Sequence, residues 1–223
     1  MKQTAPRALH PLLAEWPKET YERLAIYADL LDKWGRSGNL IGPASRQEIW
    51  VRHFADSLQV RKALPDARFW LDLGSGAGFP GLVTAITLAG DKNAMVHLIE
   101  SNQRKCAFLR TVAREVEAPV DIHCGRIEAI VPSLEAPIEA VSARALAPLD
   151  QLLVYADKFL MRGATAVFSK GKQFEAELTP ALTAGKYFIT ILKSETDPMA
   201  RLLLIRTQEA LDLRGDFSPT KSL

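Results

Sequence analysis

Residues 69–81 read Phe-Trp-Leu-Asp-Leu-Gly-Ser-Gly-Ala-Gly-Phe-Pro-Gly, and they constrain this chain more than any other stretch. Phe69, Trp70, Leu71 and Leu73 form a short apolar run suited to a strand buried on both faces, which Gly74, Gly76, Gly78 and Gly81 end abruptly. Glycine accepts positive φ and lets backbone N–H groups come close to a ligand, while Pro80 has the φ of a first helical residue. The stretch predicts strand, glycine turn and helix, a unit that binds nucleotide-like cofactors.

Beyond residue 65, apolar runs alternate with helical patterns. Strands are predicted at 69–73, 95–99, 120–123, 140–143, 165–169, 187–192 and 202–206. Strand and helix in steady alternation imply an α/β fold, a Rossmann-like, doubly wound, mostly parallel seven-stranded sheet with ligands at the carboxyl ends of its strands. Before it, residues 18–34 place Tyr21, Leu24, Ala25, Ala28, Leu31 and Trp34 on one helical stripe, which Gly35 and Gly38 stop. Ser45 and Glu48 have capping-box spacing for a second helix through Ile49, Trp50, Val51, Phe54 and Leu58. The chain thus divides into an α-helical N-terminal extension (1–64), a Rossmann-like domain (65–211) and a C-terminal tail (212–223).

Two cofactors compete for the turn. Gly76-Ala77-Gly78-Phe79-Pro80-Gly81 has the GxGxxG spacing of a dinucleotide site, which favours NAD and an oxidoreductase. Asp72, just before the glycines, would repel a pyrophosphate and attract a cationic amino acid moiety such as that of S-adenosylmethionine. The pattern Asp-x-Gly-x-Gly-x-Gly resembles the first motif of Rossmann-like methyltransferases. Glu100, ending the second strand, is placed to accept both hydroxyls of a ribose. After the third strand, Gly125-Arg126-Ile127-Glu128 can flank an adenine with an apolar side chain and backbone N–H groups.

After the fourth strand, Arg144 stands where a transferred methyl should lie. Methylation of an exocyclic amine calls for an amide or acid with prolines and an aromatic, and Ala147-Pro148-Leu149 supplies neither amide nor aromatic. With no cysteine there, the covalent route to a pyrimidine carbon is also closed. A substrate that is already nucleophilic fits what remains, and guanine N7 is one: its in-plane lone pair needs only orientation.

Composition adds boundaries. Residues 1–62 hold ten Lys/Arg against seven Asp/Glu, a surplus that a solvated face or a phosphate-binding surface explains equally. Cys106 and Cys124 lack the paired spacing of a zinc site and are expected to be small buried hydrophobes, and no metal site is expected. No signal peptide or run of membrane-span length is visible, so a cytoplasmic protein without membrane contact is expected. Arg52 and Asp56, four apart, can form an intrahelical ion pair; His53 between them is by itself an ordinary core or surface histidine.

Taken together, Trp34, Asn39-Leu40, Arg52-His53 with Asp56-Ser57, residues 74–81, Arg126-Ile127-Glu128, Arg144-Ala145 and Lys170-Gly171 resemble the bacterial 16S ribosomal RNA guanine-N7 methyltransferase family, formerly called glucose-inhibited division protein B. The resemblance covers nearly the whole chain. It implies that Gly74, Phe79, Ile127, Glu128 and Arg144 contact the cofactor, and that the substrate is a guanine in the decoding-region loop of 16S RNA, free or in a small-subunit particle. It raises Arg52 and His53 to site residues near the methyl-transfer pocket or the RNA; the catalytic residue is open, with Arg144 and His53 the candidates, and a monomer is expected. Arg36, Arg46, Arg52, Lys170 and Lys172 are the candidate RNA-binding cations. Where the family has Tyr and Thr around Asn-Leu, this chain has Gly38 and Ile41. A non-catalytic RNA-binding or assembly protein is the remaining alternative.

Overall fold

The computed structural model describes residues 10–35, 40, 42, 48–183 and 186–207. Arg36, Gly38, Asn39, Ile41, Ser45, Arg46 and the 212–223 tail lie outside them, and with them the predicted capping box. Seven strands form one sheet: β1 (Phe69–Leu73), β2 (Met95–Glu100), β3 (Val120–Cys124), β4 (Ala140–Arg144), β5 (Thr165–Lys170), β6 (Tyr187–Lys193) and β7 (Arg201–Thr207), in the order β3-β2-β1-β4-β5-β7-β6. The first five are parallel, whereas β7 runs antiparallel between β5 and β6. Each predicted strand is present to within a residue or two at its ends.

Period-two alternation divides the core into two layers. Trp70, Val96, Leu98, Ala140 and Val167 face one layer, built by α1 (Pro11–Ala14), α2 (Lys18–Gly35), α3 (Asp56–Ala63), α4 (Gly81–Thr87) and α5 (Gln103–Glu115). Leu71, Leu73, Val141, Ala143 and Phe168 face the other, covered by α6 (Ile127–Ile130), α7 (Leu149–Leu160) and α8 (Phe174–Thr183). The N-terminal helices therefore share one continuous core with the sheet. Leu24 and Leu31 of α2 are fully buried in it, each contributing roughly 1.5–3 kcal/mol. Tyr27, absent from the predicted stripe, is buried as well and stacks on Phe79.

Before α3 the chain winds as a π-helical stretch, Trp50–Ala55, that carries Arg52 and His53. Sequence periodicity gives no sign of that winding, and such stretches are frequent at functional sites. Cys106 is buried as expected, its thiol donating to the Glu100 carbonyl at 3.1 Å. Cys124 is exposed, contrary to expectation, because β3 is an edge strand. Among the described residues, no helix is long and apolar enough to cross a membrane.

Candidate active site

The glycine turn leaves β1 at the sheet's carboxyl edge with Gly74, Gly76 and Gly78 all at positive φ (65°, 59° and 105°). Ser75 N–H donates to the Ile99 carbonyl at 2.9 Å, and Gly76 N–H donates to Glu100 Oε2 at 2.8 Å. The other carboxylate oxygen, Glu100 Oε1, accepts from Asn102 N–H at 2.7 Å, and Asn102 caps α5 by accepting from Lys105 N–H. One buried carboxylate thus ties the turn to the start of the next helix. Pro80 is the cap of α4 rather than its first residue, which is Gly81; the Phe79–Pro80 peptide is cis.

Above the turn lies a cavity of about 430 Å³, within the range of small-molecule sites. Of the residues expected at a cofactor, Gly74, Gly76, Phe79, Glu100, Ile127, Glu128 and Arg144 line it, joined by Leu40, Leu146 and Tyr155. A side chain on Gly76 would meet nothing nearer than the Gly74 carbonyl, at 3.8 Å. Glu128 Oε1 accepts the Tyr155 hydroxyl at 2.5 Å, which holds its carboxyl below the usual range.

Two predicted wall residues lie elsewhere. Gly78 packs inward: a Cβ there would come within 2.5 Å of the Tyr27 hydroxyl and 2.8 Å of Leu82 Cβ. Asp72 is fully buried beneath the turn, where Oδ1 accepts the Ser142 hydroxyl at 2.7 Å and Oδ2 has no hydrogen-bond partner. Its place follows from parity, since Asp72 shares the face of Trp70 under α4, and Gly81 lies against it. Asp72 therefore supports the turn and does not discriminate between cofactors by charge at the cavity wall.

Burial raises the Asp72 carboxyl from 3.8 to about 6, although the Ser142 hydrogen bond pulls it down. Between these values the folded state binds the proton more tightly than the unfolded state, so stability falls as pH rises from about 4 to 6 and is level above that. Asp72→Asn should gain on the wild type across this window by up to about 3 kcal/mol, read from urea midpoints at each pH. A difference independent of pH would contradict this account of the buried carboxyl.

Arg144, ending β4, gathers the N-terminal helices onto the sheet edge. Its Nη1 donates to Asp56 Oδ2 at 2.9 Å and to the Arg52 carbonyl at 3.0 Å, while Nη2 lies 2.8 Å from His53 Nδ1. The guanidinium carbon stands 5.2 Å from the centre of the Phe79 ring, on which His53 also stacks at 4.6 Å. Asp56 Oδ1 accepts from Gln59 at 2.7 Å and Thr196 at 2.8 Å. The predicted Arg52–Asp56 pair does not form. Asp56 pairs with the sheltered Arg144, whereas exposed Arg52 reaches back to Glu48 at 3.3 Å in a water-screened contact.

Because Arg144 donates to Nδ1, the proton of neutral His53 is assigned to Nε2. Burial, reinforced by the Arg144 charge, lowers the His53 pKa to about 4. The predicted RNA contact Lys170 is committed to Glu177 at 2.6 Å and to the Ala147 carbonyl at 2.7 Å, since the end of β5 faces α8 rather than solvent. Lys172 is exposed. Leu146 and Tyr155, which line the cavity, and Tyr27, packed behind Phe79, carry no signal in the sequence, whereas the Arg-His-x-x-Asp-Ser cluster had marked Asp56.

A second, larger cavity of about 1270 Å³ opens between the π-helical stretch and the loops after β4, β5 and β6. It meets the first along a wall made by His53, Arg144, Ala145 and Leu146. Ala145 there holds a φ of +51°, an uncommon conformation for a residue with a Cβ.

Residues 20–192 match the family model GidB, described as rRNA small subunit methyltransferase G. A ribosomal RNA small subunit methyltransferase G from Methylorubrum populi is 45% identical over 87% of this chain and 92% of its own length. Another from Paramagnetospirillum magneticum is 46% identical over 85% and 89%. The chain belongs to this family. It is accordingly an enzyme, a methyltransferase, and the oxidoreductase and non-catalytic alternatives fall away. Among solved structures, the O-methyltransferase TomG from Streptomyces achromogenes, solved in complex with SAM, shares the fold at 17% identity. Its TM-score is 0.57, with coverage of 86% of this chain and 90% of that one. As a family member with this fold, the protein has an α/β, Rossmann-like architecture in which both cavities open at the carboxyl edge of the sheet.

Glu100→Ala should weaken cofactor binding by about 1–3 kcal/mol, because it removes a charge-assisted acceptor and frees the N–H groups of Gly76 in the turn and of Asn102 at the start of α5. Calorimetry with S-adenosylmethionine reads the loss, and an unchanged dissociation constant would take Glu100 out of the site.

Proposed function

We propose that the protein transfers the methyl group of S-adenosylmethionine to N7 of a guanine in the decoding-region loop of 16S ribosomal RNA. The observation that carries this is the shared wall: a cofactor-sized cavity and a larger open one meet at His53, Arg144, Ala145 and Leu146. The cofactor cavity fits the group. Gly76 leaves room for it, Glu100 keeps spare lone pairs on both oxygens for a ribose, and Ile127 offers an apolar face for an adenine. When bound, S-adenosylmethionine supplies an electrophilic methyl group on its sulfonium.

The side chains at the shared wall suit a nucleophile that needs no base. His53, with its pKa near 4, stays neutral at physiological pH and adds no positive charge beside a guanine that becomes cationic on methylation. The charge of Arg144 is offset by Asp56 at 2.9 Å. What these residues provide is a walled, oriented approach, so acceleration comes from proximity. The identity of the base rests on the family resemblance alone, and that of the RNA on the resemblance and on the names of the relatives.

Among the described residues, Arg52 and Lys172 are the predicted RNA cations left exposed. Arg52→Ala should reduce the salt slope of RNA binding by about one and leave the S-adenosylmethionine dissociation constant unchanged. An unaltered slope would remove Arg52 from the RNA surface. The function itself is tested in the host: a strain lacking the gene should lose one 7-methylguanosine from its 16S RNA and regain it on re-expression. An unchanged 16S RNA would overturn the proposal.

A further inference from the structure

On the outer edge of the sheet, away from both cavities, three metal-ligating side chains converge. His97 on β2 pairs in register with Asp121 on β3, and His123 follows two residues later on the same face. Their donor atoms form a small triangle. His97 Nδ1 lies 3.0 Å from His123 Nε2 and 3.6 Å from Asp121 Oδ2, and that carboxylate oxygen lies 3.5 Å from His123 Nε2. A tetrahedral zinc ion with bonds of about 2.0–2.1 Å requires ligand atoms about 3.3–3.4 Å apart. All three edges lie close to that spacing.

We propose that His97, Asp121 and His123 bind one divalent transition-metal ion of the zinc class. Two imidazole nitrogens and one carboxylate oxygen form a borderline donor set that suits zinc and disfavours magnesium or calcium. The ligands grade outward: the His97 side chain is 11% exposed, His123 21% and Asp121 55%, so the fourth position opens to water. The two rings stack with centroids 5.3 Å apart and 23° between planes, which brings one nitrogen of each to the same side of the cluster, 3.0 Å apart.

The ion would clamp the edge strand β3 to β2. Three residues after His97 comes Glu100, and two after His123 comes Gly125, so the clamp lies below the segments that line the cofactor cavity without touching it. Its role is to hold the edge of the sheet, independent of methyl transfer. No other group of three or more His, Cys, Asp or Glu among the described residues brings its donor atoms together in this way.

The test uses the purified full chain, with any affinity tag removed and metal stripped by chelator, titrated with Zn²⁺ alone. One equivalent should bind, and the melting temperature should rise by several degrees. Cobalt(II) in its place should give the visible absorption of a low-coordinate site. His123→Ala should weaken Zn²⁺ binding at least a hundredfold, and Asp121→Asn, a change at an exposed position that leaves the fold intact, at least tenfold. Absence of saturable binding would overturn the proposal and reduce the cluster to a hydrogen-bonded histidine pair. So would binding that persists unchanged in both variants.

Discussion

Arg144→Ala should lower methyl transfer at least a hundredfold and destabilise the protein by about 2–4 kcal/mol. The stability term comes from Asp56, whose side chain is only 16% exposed and would lose its cation; stranding one partner of a buried pair costs about 3–5 kcal/mol, and the residual exposure here tempers it. The activity term comes from geometry. One guanidinium holds the Arg52 carbonyl, Asp56 and His53, and stands over Phe79, so its removal releases the wall between the two cavities. Arg144→Lys should rescue little, because a single ammonium cannot place donors along the same fork. Denaturant titration and single-turnover assays at saturating cofactor separate the two terms. In Arg144→Ala combined with Asp56→Ala, stability should fall no further than in the worse single variant, since the penalty for Arg144→Ala is the stranded carboxylate. Strict additivity would mean that the pair does not organise the site.

Gly81→Ala should cost even more stability than Arg144→Ala, whereas Gly76→Ala should leave the fold intact. A Cβ on Gly81 would come within 2.5 Å of Asp72 Cβ, Asp72 Oδ2 and Leu98 Cδ2, side chains rooted in β1 and β2, each paired to a strand on both sides. Neither strand can retreat, so the cost should exceed the usual 1–3 kcal/mol of overpacking, and little folded protein is expected. At Gly76 the same addition meets open space, and the strain of a side chain at a φ of +59° is about 1–2 kcal/mol. Gly76→Ala should fold, yet bind S-adenosylmethionine at least tenfold more weakly, because Gly76 lines the smaller cavity and a Cβ would take up space there. Melting curves and calorimetry on both variants check the contrast. Equal stability would mean that the two glycines serve the same purpose.

Local signals made most of the fold legible. Short apolar runs located every strand, and the four-glycine turn located the smaller cavity, because both depend on residues adjacent in sequence. What the sequence hid depends on pairing. The sequence shows that Asp72 shares a face with Trp70, but that α4 covers this face and sets Gly81 against Asp72 appears only once the helix is packed on β1. Cys124 was read as buried because strand order, and hence which strand is an edge, cannot be seen in a single chain pattern. Lys170 had the look of a phosphate contact until Glu177, seven residues on, proved to be its partner. His97 and His123 stand 26 residues apart, and only the β2–β3 register brings them together.

The central claim is that the wall shared by the two cavities delivers a methyl group to guanine N7, and one measurement tests it most directly. The purified protein is incubated with methyl-labelled S-adenosylmethionine and either 16S RNA or small-subunit particles from a strain lacking the gene, and the digested nucleosides are resolved by mass spectrometry. The account predicts one labelled 7-methylguanosine per RNA on at least one of the two substrates. Label on an exocyclic amine, a pyrimidine carbon or a ribose, or no label on either substrate, would contradict it.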